Sequence, residues 1–263
     1  MVGNSVCQAL KGHDLLTPSK QELNVTRLEQ IMRFKTDYII HLASETDHEY
    51  CDENPAQCYL VNTIGTANMM RLAKSLHIPI IYISTASVFD GKKLSPYEIH
   101  DVPNPINHYN ASKYYGEILC LQHSLSYILR CGWMFGGGKG LDKKFVAKLV
   151  NKINVGQKEI KVCTDCIGSP TYSVDVAHFI NRVISNKPLP GIIHCANKSN
   201  GVSRYEFACE VVRILNAKVN IIPCKIDDLK DEFPCKRTNY EVLSNNQFMP
   251  DWKQSLKDYL CQY

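Results

Sequence analysis

Short apolar runs alternate along this chain with longer stretches whose apolar residues recur every three or four positions. Residues 37–43 (DYIIHLA), 79–84 (PIIYIS) and 127–131 (YILRC) are nearly continuous apolar runs, the pattern of strands buried on both faces of a parallel sheet. Residues 13–17 (HDLLT) and 192–196 are read as further strands. Helical spacing covers 26–34, then 55–76, where Leu60, Ile64, Ala67 and Met70 share a face. It returns at 107–123, after the loop marked by Pro103 and Pro105, and at 143–154, 173–185 and 203–216. Strand and helix in alternation predict an α/β fold, a doubly wound parallel sheet covered by helices. Beyond about residue 140 the alternation weakens. The chain is therefore divided into residues 1–140, bearing the sheet, and 141–263, a smaller C-terminal lobe with some segments returning to the sheet.

The start of the chain changes this picture. A Rossmann-type dinucleotide fold opens with a strand running into a Gly-rich turn, and the pyrophosphate sits at the following helix N-terminus. Here Met1-Val2-Gly3-Asn4-Ser5-Val6 leads straight into a helical stretch ending near Leu10, as in the last third of such a motif, with Gly3 as the closing glycine. The first strand and two earlier glycines are expected to be absent, from either a start downstream of the true one or an impaired copy. The plainer alternative is an ordinary N-terminal helix with Gly3 incidental. After the predicted strand 13–17 comes Thr17-Pro18-Ser19-Lys20, with no carboxylate to hold a ribose 2′-hydroxyl. Ser19 and Lys20 suit a 2′-phosphate, which favours NADP(H); an exposed turn is the other reading.

Composition removes several function classes. A net charge of +4 over 263 residues gives no footing for nucleic-acid or membrane binding, and no apolar stretch reaches the roughly 20 residues that cross a bilayer. The twelve cysteines are scattered and often lie in apolar runs, which points to buried thiols in a reducing cytoplasm. Cys163-x-x-Cys166 has the spacing of half a zinc site or of a redox pair, but no second short-spaced pair accompanies it, so neither metal nor redox chemistry is expected.

The candidate chemistry centres on Tyr109-Asn-Ala-Ser-Lys113. Residues four apart share a helical face, so phenol and ammonium enter one cleft. A phenol is a poor acid at neutral pH, and a neighbouring positive charge lowers its pKa. Ser84 and Thr85 end a buried strand at the carboxyl edge of the sheet, where the Thr85 hydroxyl either meets a carbonyl oxygen together with Tyr109 or simply caps the strand end.

In order along the chain, these segments resemble the extended short-chain dehydrogenase/reductase superfamily, in particular the dTDP-4-dehydrorhamnose reductases. Residues 84–91 (STASVFDG) are similar to their STDYVFDG segment, and Tyr109 to Lys113 matches their Tyr-Gly-x-x-Lys helix. Residues 130–136 (RCGWMFG) look like their Arg-Thr-Ser-Trp-Val-Tyr-Gly. Residues 165–171 (DCIGSPT) look like their Asp-Gln-x-Gly-x-Pro-Thr, and residues 41–47, Asn54-Pro55 and Asn62 resemble the segment after their fourth strand.

The resemblance implies NADP(H) bordered by Leu42, Ala43, Ser44 and Thr63, with Tyr109 and Lys113 at the nicotinamide end. It also implies a nucleotide-linked sugar near Ser84, Thr85, Ser87 and Trp133, plain core packing being the other reading of Trp133; Lys236 or Arg237, in a segment that only loosely follows the family, either meets a diphosphate or is simply solvated. Thr85, Tyr109 and Lys113 would be catalytic, in an NADPH-dependent reductase of a nucleotide-linked 4-keto-6-deoxy sugar acting as a homodimer. Ala86-Ser87 departs from the family's Asp-Tyr, and the segment lacks the thiol of bifunctional epimerase/reductases. The family also contains a non-catalytic regulatory subunit of methionine adenosyltransferase, which is the alternative reading. A nucleotide-sugar epimerase or dehydratase is a weaker one.

Overall fold

The computed structural model describes residues 1–138, 140–229 and 234–262. The chain begins with α1 (Val2–Ala9), α2 (Leu28–Ile31), β1 (Ile39–His41), α3 (His48–Glu53) and α4 (Pro55–Tyr59). A π-helical turn (Leu60–Ile64), α5 (Gly65–Leu76) and β2 (Ile80–Thr85) follow. Next come a 3₁₀ turn (Ala86–Val88), α6 (His108–Cys120), β3 (Ser126–Cys131), β4 (Trp133–Phe135), α7 (Phe145–Asn154), β5 (Glu159–Cys163), β6 (Ile167–Gly168) and β7 (Pro170–Tyr172). The last part holds α8 (Ser173–Asn186), β8 (Gly191–His194), β9 (Val202–Ser203), α9 (Arg204–Leu215), β10 (Asn220–Cys224), β11 (Tyr240–Glu241) and α10 (Trp252–Leu260).

Strands β1, β2, β3 and β8 form a sheet in that order, parallel throughout. The period of two sorts their side chains. Ile81, Tyr127 and Leu129 pack with Val6 and Leu10 of α1 and Val176, Phe179 and Ile180 of α8. Ile80, Tyr82 and Ile128 pack on the other face with Met69, Met70 and Leu72 of α5 and Cys120 of α6. Helices therefore cover both faces, as a sheet of near-continuous apolar strands requires. A second core gathers Phe135, Leu149, Val162, Tyr172, Phe207, Trp252 and Tyr259 around the small pairs β4–β7 and β5–β10. Through α8 and β8 the chain returns to the first sheet between those pairs.

Most predicted elements stand within a few residues of their expected ends, with local chemistry accounting for the boundaries. The Asn107 side chain accepts from the Asn110 N–H and starts α6, while Ser203 and Glu206 form a reciprocal capping box on α9. Two expectations need correction. No strand forms at 13–17: with two apolar residues, Leu16 exposed and no strand beside it, the segment runs as irregular chain. The helix expected at 26–34 is reduced to the single turn of α2. The helix expected at 55–76 is present, but its middle widens into the π-helical turn.

Candidate active site

Parallel strands bring the carboxyl ends of β1, β2 and β3 to one edge of the sheet, and α6 lies against β2 beneath that edge. Gly116 permits the close approach, because a Cβ there would collide with the Tyr82 hydroxyl. That hydroxyl donates to the Lys113 carbonyl at 3.2 Å. Tyr109 and Lys113, one helical turn apart on α6, share one helical face, with Tyr109 against His48 and Lys113 over the Tyr82 ring of β2. Thr85 closes β2, its Oγ1 accepting from the Ser87 N–H at 3.1 Å.

The electrostatics depart from the expectation. Burial pushes the Tyr109 phenol up, reinforced by Cys51 and Glu241. Burial also lowers Lys113 to about 8, and its Nζ lies 4.2 Å from the Tyr82 ring centroid. Without a ligand, desolvation outweighs the help that the ammonium was expected to give the phenol. Among the described residues, neither the Tyr109 hydroxyl nor the Lys113 ammonium takes part in a hydrogen bond, so both stand ready for one. His48 packs its ring 4.4 Å from that of Tyr109. It is held neutral, at about 3, by burial and by Arg237.

Asn62, on the π-helical turn and 1 % exposed, ties the chain after β1 to α6. Its Oδ1 accepts from the Glu45 N–H at 2.8 Å and from the Ser44 hydroxyl at 2.9 Å; its Nδ2 donates to the Glu45 carbonyl at 3.0 Å and to Ser112 Oγ at 2.9 Å. Thr63 Oγ1 donates to the Ser112 carbonyl at 3.1 Å. Leu42, Ala43 and Ser44 thus form a pinned loop over the sheet edge. Gly3, in the first turn of α1, lies beside it: a Cβ at Gly3 would meet Leu42 Cδ1 at 3.7 Å. Ser19 and Lys20 are exposed, and Ser19 is engaged in its own turn, its N–H donating to Glu22 Oε2 at 2.7 Å.

On the other side of the edge, Ser84 faces away from Thr85, as strand alternation demands. Its hydroxyl donates to Glu117 Oε1 at 2.5 Å, beneath the buried Glu117–Arg130 pair. Ser87 and Trp133 instead converge with Thr238 and Arg204 on Glu241, a buried carboxyl whose pKa burial raises. The Arg204 guanidinium covers the Trp133 ring at 3.6 Å, and the indole packs flat enough on Gly168 to leave no room for a Cβ. Arg237 pairs with Glu49 at 2.5 Å. Glu241, Asn62 and Arg204 were missed by sequence reasoning as site residues; only Asn62 carried a signal, as part of the family-like segment.

The whole chain, residues 1–263, matches the RmlD substrate binding domain family. The crystal structure of dTDP-4-dehydrorhamnose reductase from Bacillus anthracis in complex with NADP superposes with a TM-score of 0.92 at 28 % identity, covering 100 % of this chain and 95 % of that one. The dTDP-4-dehydrorhamnose reductase of Mycolicibacterium smegmatis is 29 % identical over 272 residues, 98 % of this chain and 81 % of the relative. Methionine adenosyltransferase 2 subunit beta of Xenopus laevis is 29 % identical over 191 residues, 71 % of this chain and 57 % of the relative. With helices on both faces of its parallel sheet and a match running from residue 1 to residue 263, this Rossmann-type α/β chain belongs to the RmlD substrate binding domain family.

Proposed function

We propose that the chain is an NADPH-dependent reductase of a nucleotide-linked 4-keto-6-deoxy sugar. One observation carries the reading: a phenol and an ammonium, neither in a hydrogen bond among the described residues, share one face of α6, which packs against the strand that ends in Thr85, in a chain similar throughout to such reductases. The donor set fits the cofactor. A buried ammonium with no acceptor is suited to ribose hydroxyls, and the first turn of α1 with the 42–44 loop offers backbone to a pyrophosphate. When bound, the nicotinamide supplies the hydride.

Tyr109 holds the proton that the substrate oxygen takes up as it becomes an alcohol. Lys113 binds the ribose and, once paired there, biases Tyr109 toward giving its proton up. Thr85 positions the keto oxygen beside Tyr109. Ser87, Trp133 and Glu241 line the sugar side, where an indole face and a carboxyl suit a ring with polar edges. The preference for NADPH is supported by the NADP-bound relative, since Ser19 is already committed to its own turn. A cytoplasmic setting is supported by twelve cysteines with free thiols.

The test is NADPH oxidation with dTDP-4-dehydrorhamnose. Tyr109→Phe should lower turnover by about 10²-fold or more, the usual scale of general-acid catalysis, and leave NADPH binding close to that of the parent chain. Parent-like turnover in that variant would remove the assignment. Tight NADPH binding with no turnover of any keto sugar would instead favour a regulatory subunit like the methionine adenosyltransferase relative.

A further inference from the structure

Behind Trp133, a second constellation of side chains converges that the reductase reading does not use. Strand β5 ends at Cys163, and the chain turns through Thr164 and Asp165 to Cys166 before entering β6. Both thiols are buried, at 5 % and 8 % exposure. The two Sγ atoms and a carboxylate oxygen of Asp165 all lie within 4.8 Å of one another. Sulfur and oxygen ligands at zinc distances stand roughly 3.5–3.8 Å apart around a tetrahedral ion. The donors are therefore within about 1 Å of a coordination sphere.

The turn is held from three sides, the usual support of a ligand set. The Arg204 N–H donates to the Cys166 carbonyl at 3.0 Å, and the Thr164 N–H donates to the Cys224 carbonyl at 3.0 Å. The Ile226 N–H donates to Asp165 Oδ1 at 2.9 Å, which leaves the second carboxylate oxygen for another partner. Two thiolates and a carboxylate carry one negative charge more than a divalent ion neutralises. The Arg204 guanidinium, within electrostatic reach of both sulfurs, offsets it.

We propose that Cys163, Asp165 and Cys166 bind one thiophilic divalent cation of the zinc class, with a fourth position open to water or an added ligand. Two soft sulfurs and a single hard oxygen select zinc-like ions over magnesium or calcium, which take oxygen shells. Arg204 links this turn to Trp133, its N–H donating to the Cys166 carbonyl and its guanidinium lying 3.6 Å over the indole, so an ion bound here is coupled to the position of Trp133.

Co²⁺ titration of the reduced, full-length protein tests the site, because thiolate ligation gives cobalt an intense sulfur-to-metal charge-transfer band. One equivalent should develop that band, and Zn²⁺ should displace it. Asp165→Asn, which still accepts from Ile226, should fold normally by circular dichroism and bind more weakly by more than about 10-fold, the scale on which even outer partners of metal sites act. The Cys163→Ser/Cys166→Ser double variant should lose the band. The proposal is overturned if the reduced parent gives no thiolate–cobalt band, if the double variant keeps it, or if Asp165→Asn binds as tightly as the parent. Closure of a Cys163–Cys166 disulfide without metal uptake by the reduced form overturns it as well.

Discussion

Lys113 answers to two opposed demands. In the proposed reaction its ammonium must be charged to hold a ribose and sensitise Tyr109, yet burial lowers it to about 8. Charge is therefore lost as pH rises through about 8, and NADPH affinity should fall across that step. The stability contribution runs the other way. Between about 8 and the unfolded lysine value of about 10.4 the unfolded chain binds the extra proton, so folding gains with rising pH in that window. Lys113→Met should flatten both dependences, read by NADPH fluorescence titration and by urea unfolding at pH 7 and pH 9. A parent chain whose NADPH affinity does not change between those pH values would show that the lysine keeps its proton. The i, i+4 spacing of Tyr109 and Lys113 was legible in the sequence, because a helix converts spacing directly into a shared face. The balance of burial against charge was not, since it depends on Cys51, His48 and Glu241 arriving from distant segments.

Among the elements, β2, β3 and α6 are locked by a single buried ion pair. Arg130 Nη2 lies 2.7 Å from Glu117 Oε2 and its Nε 3.0 Å from Oε1, with the two side chains 1 % and 0 % exposed. Ser84 supplies a further hydrogen bond and Phe89 a ring face at 4.9 Å. Removing one partner strands the other charge in the core, so Glu117→Ala should cost about 3–5 kcal/mol in urea unfolding. A loss under about 1 kcal/mol would mean that water reaches Arg130. This pair explains why Ser84 and Thr85, adjacent in sequence, serve different ends: alternation hands one to the lock and the other to the cleft. The long strands and helices were readable because each repeats its period several times. The π-helical turn that presents Asn62 was not, since one residue of extra width leaves no mark in a hydrophobic pattern. The two-residue strands β6, β9 and β11 are too short to show a period at all.

At the scale of the whole molecule, the segment 235–241 is tied to α3 and to the start of α6. Cys235 Sγ approaches Asp52 Oδ2 at 2.9 Å, Asn107 donates to the Lys236 carbonyl at 2.9 Å, and Arg237 pairs with Glu49 at 2.5 Å. Lys144 reaches back to Thr46 Oγ1 at 3.3 Å from the start of α7. The Arg237–Glu49 pair is about one-third exposed on each side, so as a stabiliser it is worth under about 1 kcal/mol. Its placement near His48, whose ring packs tilted against Tyr109, suits a guanidinium that exchanges a carboxylate for a substrate diphosphate, a bidentate partner of similar geometry. The two roles separate experimentally. If Arg237 serves the substrate, Arg237→Ala raises KM for the nucleotide sugar by roughly 10-fold, the equivalent of about 1.4 kcal/mol, with little change in kcat. Glu49→Ala, which removes one carboxylate partner of the same guanidinium, leaves KM unchanged or lowers it. Equal rises in KM for both variants would show that the pair only fastens the segment to α3, and Arg237 would leave the list of substrate contacts.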